Sequence, residues 1–85
     1  MIVGSSKKFD KAFKKCSQEI KDRFIERLEI FKENKYDPIL KNHNLSGKLI
    51  GLRSINVSGD YRAVFEEKLE EIIFISIGTH SQLYK

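Results

Sequence analysis

The spacing of apolar residues changes character along this chain, and each change marks a different element. Ile2 to Ser5 reads as a short first strand that ends at Gly4-Ser5-Ser6, where Ser5 or Ser6 can cap a helix. Phe9, Ala12, Phe13 and Cys16 then follow helical spacing, with lysines on the opposite face. Ser17 offers a second N-cap, and Glu19 stands in the first turn, where the helix dipole favours a negative charge. Ile20, Phe24, Leu28 and Phe31 draw an apolar stripe through an otherwise charged helix. Along it Glu19/Arg23 attract at i,i+4 and Asp22/Glu26 mildly repel. Asp37-Pro38 stops this helix, because proline restricts the residue before it and cannot donate the next hydrogen bond.

Residues 39–47 form a polar connection with apolar anchors, and after Gly47 the pattern turns to strand. Leu49 to Val57 is rich in Leu, Ile and Val, and Ser58-Gly59-Asp60 is a turn. Tyr61 to Glu66 alternates Tyr61, Ala63 and Phe65 against Arg62, Val64 and Glu66. A second turn at 67–70 leads to Glu71–Ile77, whose near-continuous apolar run predicts a central strand buried on both faces. A short polar tail runs from Gly78 to Lys85. The predicted order is β-α-α-β-β-β in one domain over 1–85, a helical hairpin packed on a small antiparallel sheet. This is the α+β class.

Composition narrows the setting. The 85 residues are 40% hydrophobic and 33% charged, which suits one small globular core rather than a disordered chain. The single cysteine, Cys16, cannot form an internal disulfide, as expected of a reducing cytoplasm. No apolar run is long enough to span a bilayer, and the N-terminal apolar stretch is too short for a signal peptide. The chain is therefore expected to be mature, cytoplasmic and free of membrane. The net charge is +4, from 16 basic and 12 acidic residues, and it is unevenly spread. Residues 41–62 carry Lys41, Lys48, Arg53 and Arg62 against Asp60 alone, whereas 66–71 carry four glutamates against Lys68. A basic middle beside an acidic hairpin tip is one face suited to a polyanion.

Candidate chemistry gathers near the end. His80 leaves a buried strand in Gly78-Thr79-His80-Ser81-Gln82-Leu83-Tyr84, so a rigid element positions a group that can donate or accept a proton. In a meander, the 67–70 turn brings the start of the middle strand beside the end of the last, and so Arg62 beside Gly78 and His80. Arg62 is then either a half-buried face arginine or one aimed at a ligand, and its planar fork suits a phosphate. Arg, His and Tyr around one phosphate can cleave RNA with no metal or cofactor. A base takes the ribose 2′-OH proton, the cation stabilises the phosphorane, and an acid protonates the leaving 5′-oxygen. Cys16 and two distant histidines make a poor zinc site, no Gly-rich phosphate loop occurs, and no nucleophile elbow surrounds a serine or cysteine.

Four stretches together resemble the RelE/ParE toxin superfamily, nearest to its YafQ-like branch. They are His43-Asn44-Leu45-Ser46-Gly47, Gly51-Leu52-Arg53-Ser54-Ile55, Gly59-Asp60-Tyr61-Arg62-Ala63-Val64-Phe65 and Ile77-Gly78-Thr79-His80-Ser81-Gln82-Leu83-Tyr84. The resemblance covers essentially the whole chain, and its specificity lies in the C-terminal half. It implies a ribosome-dependent messenger-RNA endonuclease held inactive by a cognate antitoxin in a hetero-oligomer. It implies His80 as the catalytic acid, with His43 or Asp60 as base or base-orienting group. It implies Tyr84 as a stacking or phosphate-positioning group and Arg62 on the scissile phosphate, with Arg53 on the adjoining strand. The basic groove of Lys41, Lys48, Arg53 and Arg62 would take RNA or an acidic antitoxin segment.

The chain departs from the YafQ-like pattern in two places. Ser54, Asn56 and Ser58 stand where a second histidine is often found, and Ser76 and Ile77 where an arginine often precedes Gly-Thr-His. Both gaps bear on the identity of the base and on the rate more than on the reaction class. Two other readings stay open: a ParE-like inhibitor of DNA gyrase, for which His43, His80 and Tyr84 would be incidental, and an RNA-binding member that has lost activity.

Overall fold

Two serines decide where the long helices begin. A computed structural model describes residues 1–84; Lys85, the last residue of the expected tail, lies outside them. After strand β1 (Ile2–Ser5), Ser6 Oγ accepts from the Phe9 backbone N–H at 3.0 Å and starts helix α1 (Lys7–Lys14). Ser17 Oγ accepts from the Ile20 N–H at 3.3 Å and starts α2 (Gln18–Glu33). Past α2, a 3-10 turn at Pro38–Leu40 is capped by the Asp37 carboxylate, which accepts from the Ile39 N–H. Strand β2 (His43–Asn44) and a second 3-10 turn (Gly47–Leu49) lead to β3 (Arg53–Ser58), β4 (Tyr61–Glu67), β5 (Glu71–Thr79) and a one-turn helix, α3 (His80–Leu83).

The strands make one sheet in the order β1-β5-β4-β3-β2. The α+β class and the helical hairpin are as expected, but the sheet is mixed rather than antiparallel. β1 runs parallel to β5, with Ile2 opposite Glu71 and Ser5 opposite Phe74, while every other pair is antiparallel. A parallel pair needs a long connection, and here the helices and the whole meander supply it. The polar connection contributes an extra two-residue edge strand, β2. β3 begins at Arg53 rather than Leu49, because Gly47 and Gly51 turn the chain at φ of 64° and 93°, conformations that cost glycine little. The expected polar tail is helical as far as Leu83.

One face of the sheet meets the helices. There the Phe74 ring contacts those of Phe9, Phe24, Phe31 and Phe65, with centroid distances from 5.1 to 6.1 Å. Such tilted and edge-on pairs add about 0.5–1.5 kcal/mol each beyond area burial. Ile20, Leu40, Ile55, Val57, Ala63, Ile72 and Ile77 fill the rest of this core. At the stripe of α2 the buried residue is Arg27, while the expected Leu28 is half-buried. The cause lies in β3, where the register with β4 shifts between Asn56 and Ser58 and leaves Val57 without a partner. Arg27 Nε donates to the Val57 carbonyl at 3.1 Å, and its aliphatic stem adds to the core.

β5 carries a bulge of its own. Phe65 faces Phe74 and Val64 faces Ser76, so Ile75 has no partner. Its carbonyl accepts instead from Ser6 Oγ at 2.9 Å, which ties the bulge to the cap of α1. The extra residue reverses the alternation, putting Ile77 on the helix face with Ile72 and Phe74 and turning Ser76 and Gly78 to the far face. β5 is thus interior but not evenly buried on both faces, since Ile73 and Ile75 are half-exposed. On the far face Ser54 and Val64 have no exposed surface. The loop bearing buried Leu45 lines a cleft over that face.

Replacing Phe74 with Ala should cost about 3–5 kcal/mol, measured by urea unfolding, because it empties the meeting point of four rings. A smaller effect concerns Lys35, whose ammonium is paired with the Glu67 carboxylate; that hydrogen bond raises its pKa above the ordinary lysine value. A raised lysine pKa stabilises the fold fully at neutral pH and loses its effect as pH rises through the raised value. Glu67→Gln should therefore flatten the alkaline end of the stability profile, modestly, since both groups are partly exposed.

Candidate active site

The ladder brings the site together on the far face of the sheet. His43 pairs with Ser54, and Ser54 with Val64; two residues along, Asn56 pairs with Arg62, and Arg62 with Gly78. Residues opposite one another in a ladder share a face, so His43 and Arg62 point to the same side. α3 then adds His80 and Tyr84. The resulting cleft, about 330 Å³, is lined by His43, Asn44, Leu45, Ser46, Arg62, His80 and Tyr84.

A local hydrogen bond sets the orientation of His43. Lys41 adopts a left-handed conformation (φ 49°), and its carbonyl lies 2.8 Å from His43 Nδ1. A carbonyl only accepts, so Nδ1 is the donor, and in the neutral imidazole Nε2 is then the acceptor. On the other side of the cleft, α3 is held by a capping box. Thr79 Oγ1 accepts from the Gln82 N–H at 3.3 Å, and Gln82 Oε1 accepts from the Thr79 N–H at 2.9 Å. The His80 N–H donates to the Asp60 carbonyl at 3.2 Å, fixing α3 to the β3–β4 turn. The four-residue separation then puts the His80 and Tyr84 rings on one side of the turn, with centroids 4.5 Å apart. Gly78 leaves room for the Gln82 cap, since a Cβ there would fall 2.8 Å from Gln82 Oε1.

Among the described residues, Arg62 is the one formally charged side chain lining the cleft. Its Nε is buried with no hydrogen-bond partner among the described residues, and so are Tyr84 Oη and Ser54 Oγ beneath His43. Leaving such a group unpaired costs about 1–3 kcal/mol; of these three, Arg62 and Tyr84 line the cleft, and a fourth such atom, Arg27 Nη1, lies in the core beside Val57. A guanidinium and a phenol donate, and a phosphate supplies acceptors for both.

The structure groups His43, Arg62, His80 and Tyr84 and leaves four other candidates outside the cleft. Asp60 lies in the turn before β4 and reaches His80 through its backbone carbonyl. Lys41 and Lys48 are exposed, and Lys41 contributes its carbonyl to His43. Arg53 pairs with Asn44 and so faces away from His43; Nε and Nη1 donate to Asn42 and Asn44 at 2.8 and 2.5 Å. Sequence reasoning missed Asn44, Ser54 and the Thr79–Gln82 pair. Only the last left a readable signal, the Thr-x-x-Gln spacing of a capping box. Among the described residues, no three His, Cys, Asp or Glu side chains gather closely enough to hold a metal ion.

Comparison with known proteins gives this arrangement a setting. Solved structures with the same fold include YafQ from E. coli, 18% identical with a TM-score of 0.83, covering 98% of this chain and 97% of that one. A copper-bound mutant toxin from Helicobacter pylori is 26% identical with a TM-score of 0.73, covering 99% of both chains. YafQ in the E. coli DinJ–YafQ complex is 22% identical with a TM-score of 0.73, covering 98% of this chain and 97% of that one. No curated protein matches the sequence. The fold is that of the RelE/YafQ-like toxins. Residues 2–85 match the family described as the bacterial toxin of a type II toxin–antitoxin system, YafQ, and the chain belongs to that family. Among the described residues, no helix is long and apolar enough to cross a membrane.

Removing the Gln82 side chain should unfasten α3 while sparing the core. Gln82→Ala is expected to lower global stability by about 1 kcal/mol or less, and to abolish the mutual ring-current shifts of His80 and Tyr84 in proton NMR spectra.

Proposed function

We propose that the chain is a metal-independent endoribonuclease that cuts messenger RNA on the ribosome in the cytoplasm and so arrests growth. The observation that carries this reading is the cleft itself: buried, unpartnered Arg62 Nε and Tyr84 Oη in a cleft also lined by two imidazoles. His43 Nε2, held as a lone pair by the Lys41 carbonyl, accepts the ribose 2′-OH proton. The 2′-oxygen attacks the adjacent phosphorus, and Arg62 stabilises the charge that builds on the phosphorane oxygens. His80 protonates the departing 5′-oxygen, so the products are a 2′,3′-cyclic phosphate and a 5′-hydroxyl. Tyr84 donates to a phosphate oxygen and, through ring contact, fixes the His80 imidazole. Asp60 acts as a positioning residue through its backbone carbonyl rather than as the base. Arg53, with Lys41 and Lys48, extends the basic surface on which RNA, or an acidic segment of a cognate antitoxin, settles.

The antitoxin belongs to the reading because the family is that of a two-component system, and DinJ binds YafQ in the E. coli complex. Co-expression with the cognate antitoxin should abolish the growth arrest and yield a hetero-oligomer on purification.

Primer extension on messages from cells briefly expressing the wild type should reveal new 5′ ends within translated frames. These ends should vanish with His80→Ala, and His43→Ala and Arg62→Ala should each slow cleavage by about 10²–10⁴-fold. Full growth arrest by His80→Ala would remove the acid from the scheme. Growth arrest by the wild type with no new ends, and with DNA damage instead, would transfer the reading to a gyrase inhibitor.

A further inference from the structure

Tyr36 is an aromatic ring that the core does not use. It is 59% exposed, just beyond α2, yet its surroundings are fixed by a chain of hydrogen bonds. The Tyr36 N–H donates to Asn34 Oδ1 at 3.1 Å, and the Lys35 carbonyl accepts from Asn42 Nδ2 at 2.9 Å. Asn42 in turn accepts from Arg53 Nε, and Asn44 from Arg53 Nη1. The Arg53 guanidinium carbon lies 5.9 Å from the centroid of the Tyr36 ring. Both side chains bonded to Arg53 are neutral amides, and it forms no ion pair among the described residues, so its charge and its remaining N–H groups are available. Lys35 also approaches the ring, at 5.5 Å, but its charge is already paired with Glu67.

An open ring beside an uncompensated guanidinium matches the chemistry of one nucleotide, a base for stacking and a phosphate for the fork. Its position adds direction. Asn44, which bonds to Arg53, also lines the catalytic cleft, and the ladder step from His43/Ser54 to Asn44/Arg53 is one residue, about 3.3 Å along the strand. β2 is a two-residue edge strand, so a flexible single strand can pass round it from Arg62 to Arg53.

We infer that Tyr36 and Arg53 form a nucleotide subsite outside the catalytic cleft, where a base of single-stranded RNA stacks on Tyr36 and its phosphate binds Arg53. The inference rests on the RNA-cutting reading for its ligand, and its test separates the two.

The chain contains no tryptophan, so Tyr36→Trp installs a single reporter that preserves stacking. In a His80→Ala background, which spares the RNA, single-stranded oligoadenylate should quench this fluorescence saturably and less at high salt. By anisotropy in the same background, Tyr36→Ala should weaken binding about 5- to 100-fold while Tyr36→Phe restores it. Arg53→Gln should weaken binding and reduce its salt dependence. Absence of quenching, or equal binding by the Ala and Phe variants, overturns the subsite. So does quenching by polyglutamate but not by RNA, which would mark the surface as a dock for an acidic protein segment. Quenching and a Tyr36→Ala defect, with no messages cut by the protein carrying His80, would uphold the subsite and overturn the nuclease reading. Cut messages with silent Tyr36 variants would do the reverse.

Discussion

The unpaired residue Ile75 is the constraint on which much of the structure depends. One extra residue in β5 lets a single strand serve two masters of opposite parity. Upstream, Ile72 and Phe74 face the helices; downstream, Ile77 does so too, and Gly78 falls opposite Arg62 on the far face. Without the bulge, Ile77 would turn out of the core and Gly78 into it, and α3 would leave the sheet on the wrong side. The bulge is in turn secured by Ser6, whose hydroxyl donates to the Ile75 carbonyl while accepting from the first turn of α1. One side chain therefore couples the start of a helix, the phase of an interior strand and the aim of the tail that carries His80.

Much of this was legible in the sequence, and the failures have identifiable causes. Both N-caps, the α2 stripe from Ile20 to Phe31 and the approach of Arg62 to Gly78 follow from local chemistry and strand period, which act over a few residues. The parallel β1–β5 pair was not legible, because nothing near Ile2 records which distant strand it will join. Arg27 was hidden for a similar reason: its burial depends on a carbonyl released by the bulge at Val57, 30 residues away. The continuous run of Glu71–Ile77 suggested even burial on both faces, whereas it records a change of phase at Ile75. In the candidate site, His43, Arg62, His80 and Tyr84 converge. Asp60 and Arg53 do not join them, since strand alternation and turn geometry decide which way each one points.

The cleft also carries a cost in stability. An 85-residue chain has little stability to spare, yet it leaves a guanidinium nitrogen and a phenol buried and unpaired at one cleft, and the Ser54 hydroxyl buried and unpaired on the same sheet face. Elsewhere the bulge carbonyls of Val57 and Ile75 and the N-termini of all three helices have partners, and a further buried side-chain atom without one is Arg27 Nη1, in the core beside Val57.

The parallel pairing of β1 has a consequence for the order in which the native state opens. Its hydrogen bonds join segments about 70 residues apart, whereas the antiparallel meander is built from short hairpins that close at low entropic cost. β1 is also a four-residue edge strand with exposed ends. These features put it among the segments that detach locally, with amides that exchange ahead of those in β4. None of the residues lining the cleft lies on β1. An excursion of that strand bares an edge of β5 while leaving the chemistry on the opposite side of the sheet assembled.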